Sequence, residues 1–167
     1  MNKSLYVTFL FFSLLLLQVF VFNNILFLGY INPYIYIAFV IFNPLKEERF
    51  SFLFLSFLLG LFLDFFSDSG GINAFSLLFV AYIRLFLIRV IFKKTSLDYL
   101  LFNLRNEPFG KVFNFVIITI VIHHFLLFLI ASFSFNNISS ILFQTLYSSI
   151  FTAILFFLGT SLLRNKK

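Results

Sequence analysis

From Ser4 to Leu45 the chain carries no Asp, Glu, Lys, Arg or His, and from Val112 to Leu163 the only titratable interruptions of that kind are His123 and His124. Such long uncharged stretches confine the fold. A helix needs roughly 20 mainly apolar residues to cross the hydrocarbon core of a bilayer, and each stretch is long enough for two crossings. With 62% hydrophobic residues, 11% charged residues and a mean hydropathy of +1.07 over 167 residues, a water-soluble domain is excluded, because a core of that size cannot hide so much apolar surface. The expected fold is all-α: a polytopic integral membrane bundle of six transmembrane helices in a single domain, residues 1–167. The 31 Phe residues are read as replacements for Leu under an AT-rich codon bias.

The spans are expected at about 4–22, 25–42, 50–66, 72–92, 112–133 and 138–163. Lys3 followed by an apolar run resembles a signal peptide, but no small-x-small site closes the run, so it is read as an uncleaved first span. Pro33 makes the start of the second span uncertain, since proline lacks the N–H that a helix interior uses. Charge placement tests the count independently. Lys3, the pair Lys46 and Arg49, the group Arg89, Lys93, Lys94, Arg105 and Lys111, and the terminal Arg164, Lys166 and Lys167 all fall on one side of a six-span chain. The opposite connections, around Asn23-Asn24, Ser67 to Asn73 and Ser134 to Ser139, contain no Lys or Arg. Basic residues gather on the cytoplasmic face, so both termini are expected inside a bacterial cytoplasmic membrane. The net charge of +6 is explained in the same way, and nucleic acid is not an expected partner.

The chain has no Cys and no Trp. Disulfides and thiolate chemistry are excluded, and Tyr6, Tyr30, Tyr34 and Tyr36 are left as the interfacial aromatics near helix ends. Between Lys93 and Lys111, residues Leu97, Leu100, Leu101 and Leu104 follow helical spacing, with Thr95 and Asp98 placed as a capping box. This segment reads either as a short helix on the inner leaflet or as a connector folded over the bundle.

Polar groups inside the spans need a reason, since an ionisable residue at the bilayer centre costs about 2.5–3.5 kcal/mol on insertion scales. Ser56, Gly60 and Asp64 repeat at i, i+4, i+8, a stripe of small and polar residues that lets another helix come close. Asp64 then points inward, either as an acceptor that fixes packing or as a grip on a cation, substrate or partner. Arg84, within the fourth span, matches Asp64 in charge, but the two differ in depth by roughly 10 Å. His123 and His124 diverge by about 100° on a helix, so one of the two is expected to face the bundle. Gln144, Ser148 and Thr152 form a second stripe, beside Thr145, Ser149 and Ala153. No HExxH, GxSxG or P-loop occurs, and neither catalysis, a metal nor a cofactor is expected.

The ordered set Gly60-Leu61-Phe62-Leu63-Asp64, a Ser/Gly turn closing at Gly71, Asn73-Ala74 and Ala81-Tyr82 resembles the rod shape-determining protein MreD family. Gln18 near the end of the first span, with Gly29 and Pro33 before the second, continues the likeness across essentially the whole chain. The Phe content and the two His depart from the family's pattern. The resemblance implies an S-component-like bundle and a non-enzymatic scaffold of the cell-elongation machinery for peptidoglycan. Its implied partners are a bitopic MreC-like protein, the actin-like MreB, a RodA-type glycosyltransferase with its transpeptidase, and the lipid bilayer. The rival class is a substrate-binding S-component of an energy-coupling-factor vitamin transporter, with Asp64, Asn73 and Ser67 at its outer side.

The absence of native Cys gives the topology a clean test. Single cysteines at Asn24 and Ser69 are expected to react with an impermeant maleimide in intact spheroplasts, and cysteines at Asn103 and Lys166 only after lysis. Labelling at Asn103 before lysis contradicts six crossings.

Overall fold

The computed structural model describes residues 3–25, 32–45, 49–93, 102–133 and 138–164. Among them every regular element is helical: α1 (Lys3–Phe20), α2 (Ala38–Phe42), α3 (Phe50–Ser67), α4 (Ile72–Phe92), α5 (Phe109–Ser132) and α6 (Ile138–Arg164). Short 3-10 turns lie at Phe22–Asn24, Ile35–Ile37 and Leu104–Asn106. Five segments are long and apolar enough to cross a membrane: Ser4–Asn24, Phe50–Ser67, Ile72–Phe92, Phe109–Ser132 and Ile138–Leu162. The protein is therefore a multi-pass membrane protein. Its long helices turn Phe9, Phe65 and Phe86 outward, where acyl chains rather than water solvate the rings.

Helices α3 to α6 pack in chain order, each against the next, and α1 lies against α3. The α3–α4 connection shows how the sequence makes a tight hairpin. Asp68 adopts a left-handed conformation (φ 50°) and returns its N–H to the Asp64 carbonyl, ending α3. Gly70 (φ 66°) and Gly71 (φ 97°) complete the reversal, a backbone path that favours glycine because no Cβ collides. Pro108 opens α5 by offering its carbonyl to the N–H groups of Lys111 and Val112 at 3.0 and 3.1 Å; its own missing N–H costs nothing at a helix start.

The second expected span, 25–42, is corrected by the structure. Asn32 to Tyr34 are not helical, and among the described residues of the passage the regular part is the 3-10 turn Ile35–Ile37 followed by α2. Those elements rise about 13 Å, less than half of a hydrocarbon core. The physical reason is Pro33, which cannot donate into a preceding turn. The passage still recrosses the bundle. Asn23 Nδ2 donates to Ser67 Oγ at 2.9 Å, which joins the C-terminal ends of α1 and α3; two helices ending side by side run parallel, so the chain between them must return. It does so through the centre, against α1, α4 and α6. Tyr36, Ile37, Phe39, Val40 and Ile41 are each at most 1% exposed. The expected surface helix on Leu97, Leu100 and Leu101 with its Thr95/Asp98 cap, and Gly29 and Tyr30, lie outside the described residues; Leu104 belongs to a 3-10 turn.

The Ser56–Gly60–Asp64 stripe faces α4. All three residues are buried, while Leu61, Phe62 and Phe65 on the same helix are exposed. A Cβ built at Gly60 would fall on the α4 backbone, within 2.7 Å of both the Ala74 nitrogen and the Asn73 carbonyl oxygen. Backbone cannot step aside as a side chain can. Gly60→Ala is therefore expected to destabilise the protein by about 1–3 kcal/mol through overpacking, and Gly60→Leu to abolish accumulation. Leu61→Phe, on the exposed face, is expected to leave thermal denaturation in detergent unchanged. Equal melting of the Gly60→Ala and wild-type proteins contradicts the close α3–α4 approach.

Candidate functional site

At the end where α1 and α3 finish, the bundle contains two sets of hydrogen bonds, one around Asp64 and one around Pro33, joined by ring contacts of Tyr36, His123 and His124. The first centres on Asp64. At the start of α4 the N–H groups of Asn73 and Ala74 lack a carbonyl partner in the preceding turn. Asp64, one turn before the end of α3, supplies the acceptor. Its Oδ2 accepts from the Ala74 N–H at 2.8 Å, and its Oδ1 from the Asn73 N–H at 2.9 Å. The Asn73 side-chain amide adds 2.9 Å and the Ser69 hydroxyl 2.6 Å, both to Oδ1. One carboxylate thus caps a neighbouring helix, where a negative charge also meets the positive end of the helix dipole.

Asn73 carries the network inward. Its second amide hydrogen goes to Ser69 Oγ at 2.8 Å, and its oxygen accepts from the Tyr36 hydroxyl at 2.6 Å. Tyr36 is 1% exposed; it is a core residue rather than the interfacial aromatic expected from its position. A tyrosine in a passage buried on every side needs a partner for its O–H, and that requirement is the signal that points to Asn73. Tyr36 in turn sets its ring edge-on to His123, with centroids 5.2 Å apart.

Pro33 leaves backbone groups unpaired, and side chains from two other helices meet them. Gln18 of α1 donates to the Pro33 carbonyl at 3.0 Å and accepts from the Ile35 N–H at 2.9 Å. The Tyr34 N–H goes to Thr152 Oγ1 of α6 at 3.1 Å. Thr152 also lies 3.1 Å from His124 Nε2, while His124 Nδ1 lies 2.9 Å from the Ile120 carbonyl. A carbonyl only accepts, so Nδ1 carries a proton, Nε2 accepts from the Thr152 hydroxyl, and the Thr152 oxygen accepts from Tyr34. Thr152 is thus a junction, a role beyond the helix contact expected from its stripe.

Both histidines are buried, each 0% exposed. This corrects the expectation of a single inward histidine. Helix α5 packs on α4 and on α6 at once, so its buried arc is wider than the 100° that separates adjacent residues. Among the described residues, both His123 ring nitrogens and the hydroxyls of Ser76, Thr145, Ser148 and Ser149 make no hydrogen bond. Ser56 bonds back to the Phe52 carbonyl at 2.8 Å. On α6, Ser148 is fully buried, while Gln144 is half-buried and donates to Ser140 Oγ at 3.1 Å. No group of three or more His, Cys, Asp or Glu suited to a metal ion occurs among the described residues.

Arg84 lies apart from this network. Its Nη2 donates to the Asn43 carbonyl at 2.6 Å and the Ile41 carbonyl at 3.3 Å, at the C-terminal end of α2, where carbonyls lack partners. The guanidinium also sits over the Phe52 ring, 5.1 Å from its centre. Asp64 and Arg84 therefore have separate partners and do not form a pair. Compared with protein-family models, curated proteins and solved structures, the chain has no match.

The cap at Asp64 makes charge and shape separable. Asp64→Asn replaces one acceptor oxygen by a donor that faces N–H groups, leaving at least one buried donor unpaired at a cost of about 1–3 kcal/mol. The variant is expected to melt nearly as low as Asp64→Ala in detergent, despite being closest to wild type in size. Wild-type melting of Asp64→Asn contradicts the capping role.

Proposed function

We propose that the protein is an MreD-like scaffold in the bacterial cytoplasmic membrane, a non-enzymatic member of the machinery that elongates the cell wall. The observation that carries the reading is the behaviour of the residues on which the resemblance rests. Gln18 and Pro33 meet each other, Gly60 meets Ala74, and Asp64 meets Asn73. Ala81 is buried in the same α3–α4 hairpin side, and Tyr82 is exposed. Residues that looked like an ordered set along the chain act together in space, and they spend their polar groups on holding helices together. A chain that uses Gln18, Asp64 and Asn73 to hold its own helices together suits a part that presents surfaces to other proteins.

In this reading the basic connections face the cytoplasm and actin-like MreB, and the termini lie inside. Lipid-exposed helix flanks meet the single span of an MreC-like protein and a RodA-type glycosyltransferase with its transpeptidase. The S-component-like arrangement belongs to the same proposal.

One observation favours a second reading, the ligand-capturing component of a vitamin transporter. Tyr34, Tyr36, His123, His124 and Phe128 form a run of edge-on ring contacts with centroids between 5.2 and 6.4 Å apart, beside the hydroxyl of Thr152. Aromatic walls with a few polar groups are what a small-ligand site uses.

Depletion separates the two. In a rod-shaped host, loss of the scaffold is expected to round or swell the cells, and the tagged protein is expected to co-purify with an MreC-like partner after mild extraction. Rod-shaped depleted cells with collapsed uptake of a micronutrient, and co-purification with an ATPase pair, would replace the scaffold by the transporter component.

A further inference from the structure

The contact of Gly60 with Ala74 sets the register of the α3–α4 hairpin. Ten residues on from Ala74 is Arg84, and ten residues back from Gly60 is Phe50, the first residue of α3. Each travels about 15 Å along antiparallel helices, so Arg84 lies level with the start of α3 and with Arg49 before it. The 18 residues of α3 rise about 27 Å, close to one hydrocarbon core. Arg84 thus belongs to the boundary level of the bilayer, although eight further residues of α4 follow it in sequence.

At that level is a cleft of about 60 Å³, lined by Arg49, Arg84, Phe52, Leu53, Tyr82 and Leu85 among others. Such a space takes roughly four to six water-sized groups. Arg84 is 3% exposed, and its Nε and Nη1 have no hydrogen-bond partner. With Nη2 held by the Ile41 and Asn43 carbonyls, these two nitrogens leave three N–H donors unanswered. A buried guanidinium with idle donors is costly unless an acceptor reaches it. Among the described residues no carboxylate lines the cleft. Arg49 and Tyr82 are exposed at its edge, and Leu53 and Leu85 supply apolar wall.

We propose that the cleft between Arg49 and Arg84 binds a phosphate group, such as an anionic glycerophospholipid or free phosphate presents. The guanidinium of Arg84 donates from inside and that of Arg49 from the rim, Tyr82 offers its hydroxyl, and the leucines meet the start of an acyl chain. Planar guanidinium groups match the paired oxygens of phosphate and of carboxylate, and phosphate is the anion that a bilayer presents at such a boundary. The site stands independently of the scaffold reading, because it needs neither partner proteins nor the Asp64 network.

The test is thermal denaturation of the full chain in detergent, titrated separately with phosphatidylglycerol, phosphatidylcholine and inorganic phosphate. Phosphatidylglycerol is expected to raise the melting temperature more than phosphatidylcholine. Arg49→Gln is expected to weaken that response about fivefold, the change due to one basic residue at an anionic surface, with lipid-free melting as in wild type. Arg84→Lys keeps a cation for the Ile41 and Asn43 carbonyls but has fewer donors, and is expected to weaken binding in the same way. An equal response to inorganic phosphate with the same dependence on Arg49 supports the phosphate site and assigns it to a soluble anion. Wild-type lipid responses in both variants overturn the proposal. So does a lipid-free melting temperature lowered as much by Glu47→Gln with Glu48→Gln as by Arg84→Gln, since the guanidinium would then belong to a carboxylate of the chain itself.

Discussion

Inside a bilayer, a backbone N–H or carbonyl that leaves the helical ladder finds no water, and at three such departures the structure supplies a side chain from elsewhere. At Pro33 the answer comes from Gln18 and Thr152. At the start of α4 it comes from Asp64, and at the end of α2 from Arg84. These are the polar residues whose presence in apolar helices demands a reason, and the reason is the same each time. A charged or amide side chain is tolerated where it replaces the solvent that a broken backbone has lost.

That exchange explains the architecture. Five long helices need little beyond apolar packing, but the short passage through the centre does not stand on its own. It is held at its Pro33 end by α1 and α6 and at its Asn43 end by α4. Between those ends its side chains are apolar apart from the hydroxyls of Tyr34 and Tyr36. The close α3–α4 approach at Gly60 then sets the heights of the groups beside it: Asp64 near one boundary, Arg84 near the other. The two charges that sequence alone invites one to pair are placed by this register at opposite ends of the hairpin, each with its own work.

The long helices were legible because their signal is a continuous apolar run, which survives any detail of packing. The inward face of α3 was legible as well, since Ser56, Gly60 and Asp64 share one side of a helix by spacing alone. The broken passage was not, beyond the warning of Pro33. Whether a proline kinks a span or ends it depends on whether distant groups such as Gln18 and Thr152 can pay the backbone's lost bonds, and that is tertiary information. The histidines show a similar limit. Helical spacing says that His123 and His124 point apart, but only the neighbours of α5 reveal that both directions are interior. Tyr36 misled through its place in the chain, because the helical turn that starts at Ile35 is buried inside the bundle.

The network also has an order built into its sequence separations. Every partner of the Asp64 carboxylate lies within ten residues of it. During synthesis α3 and α4 can therefore enter the membrane as one hairpin, with the acid already capped and never presented bare to lipid. The bond between Tyr34 and Thr152 spans 118 residues and has to wait until α6 emerges. Until then the central passage has one of its backbone groups unanswered, and α6 acts as the latch that closes it.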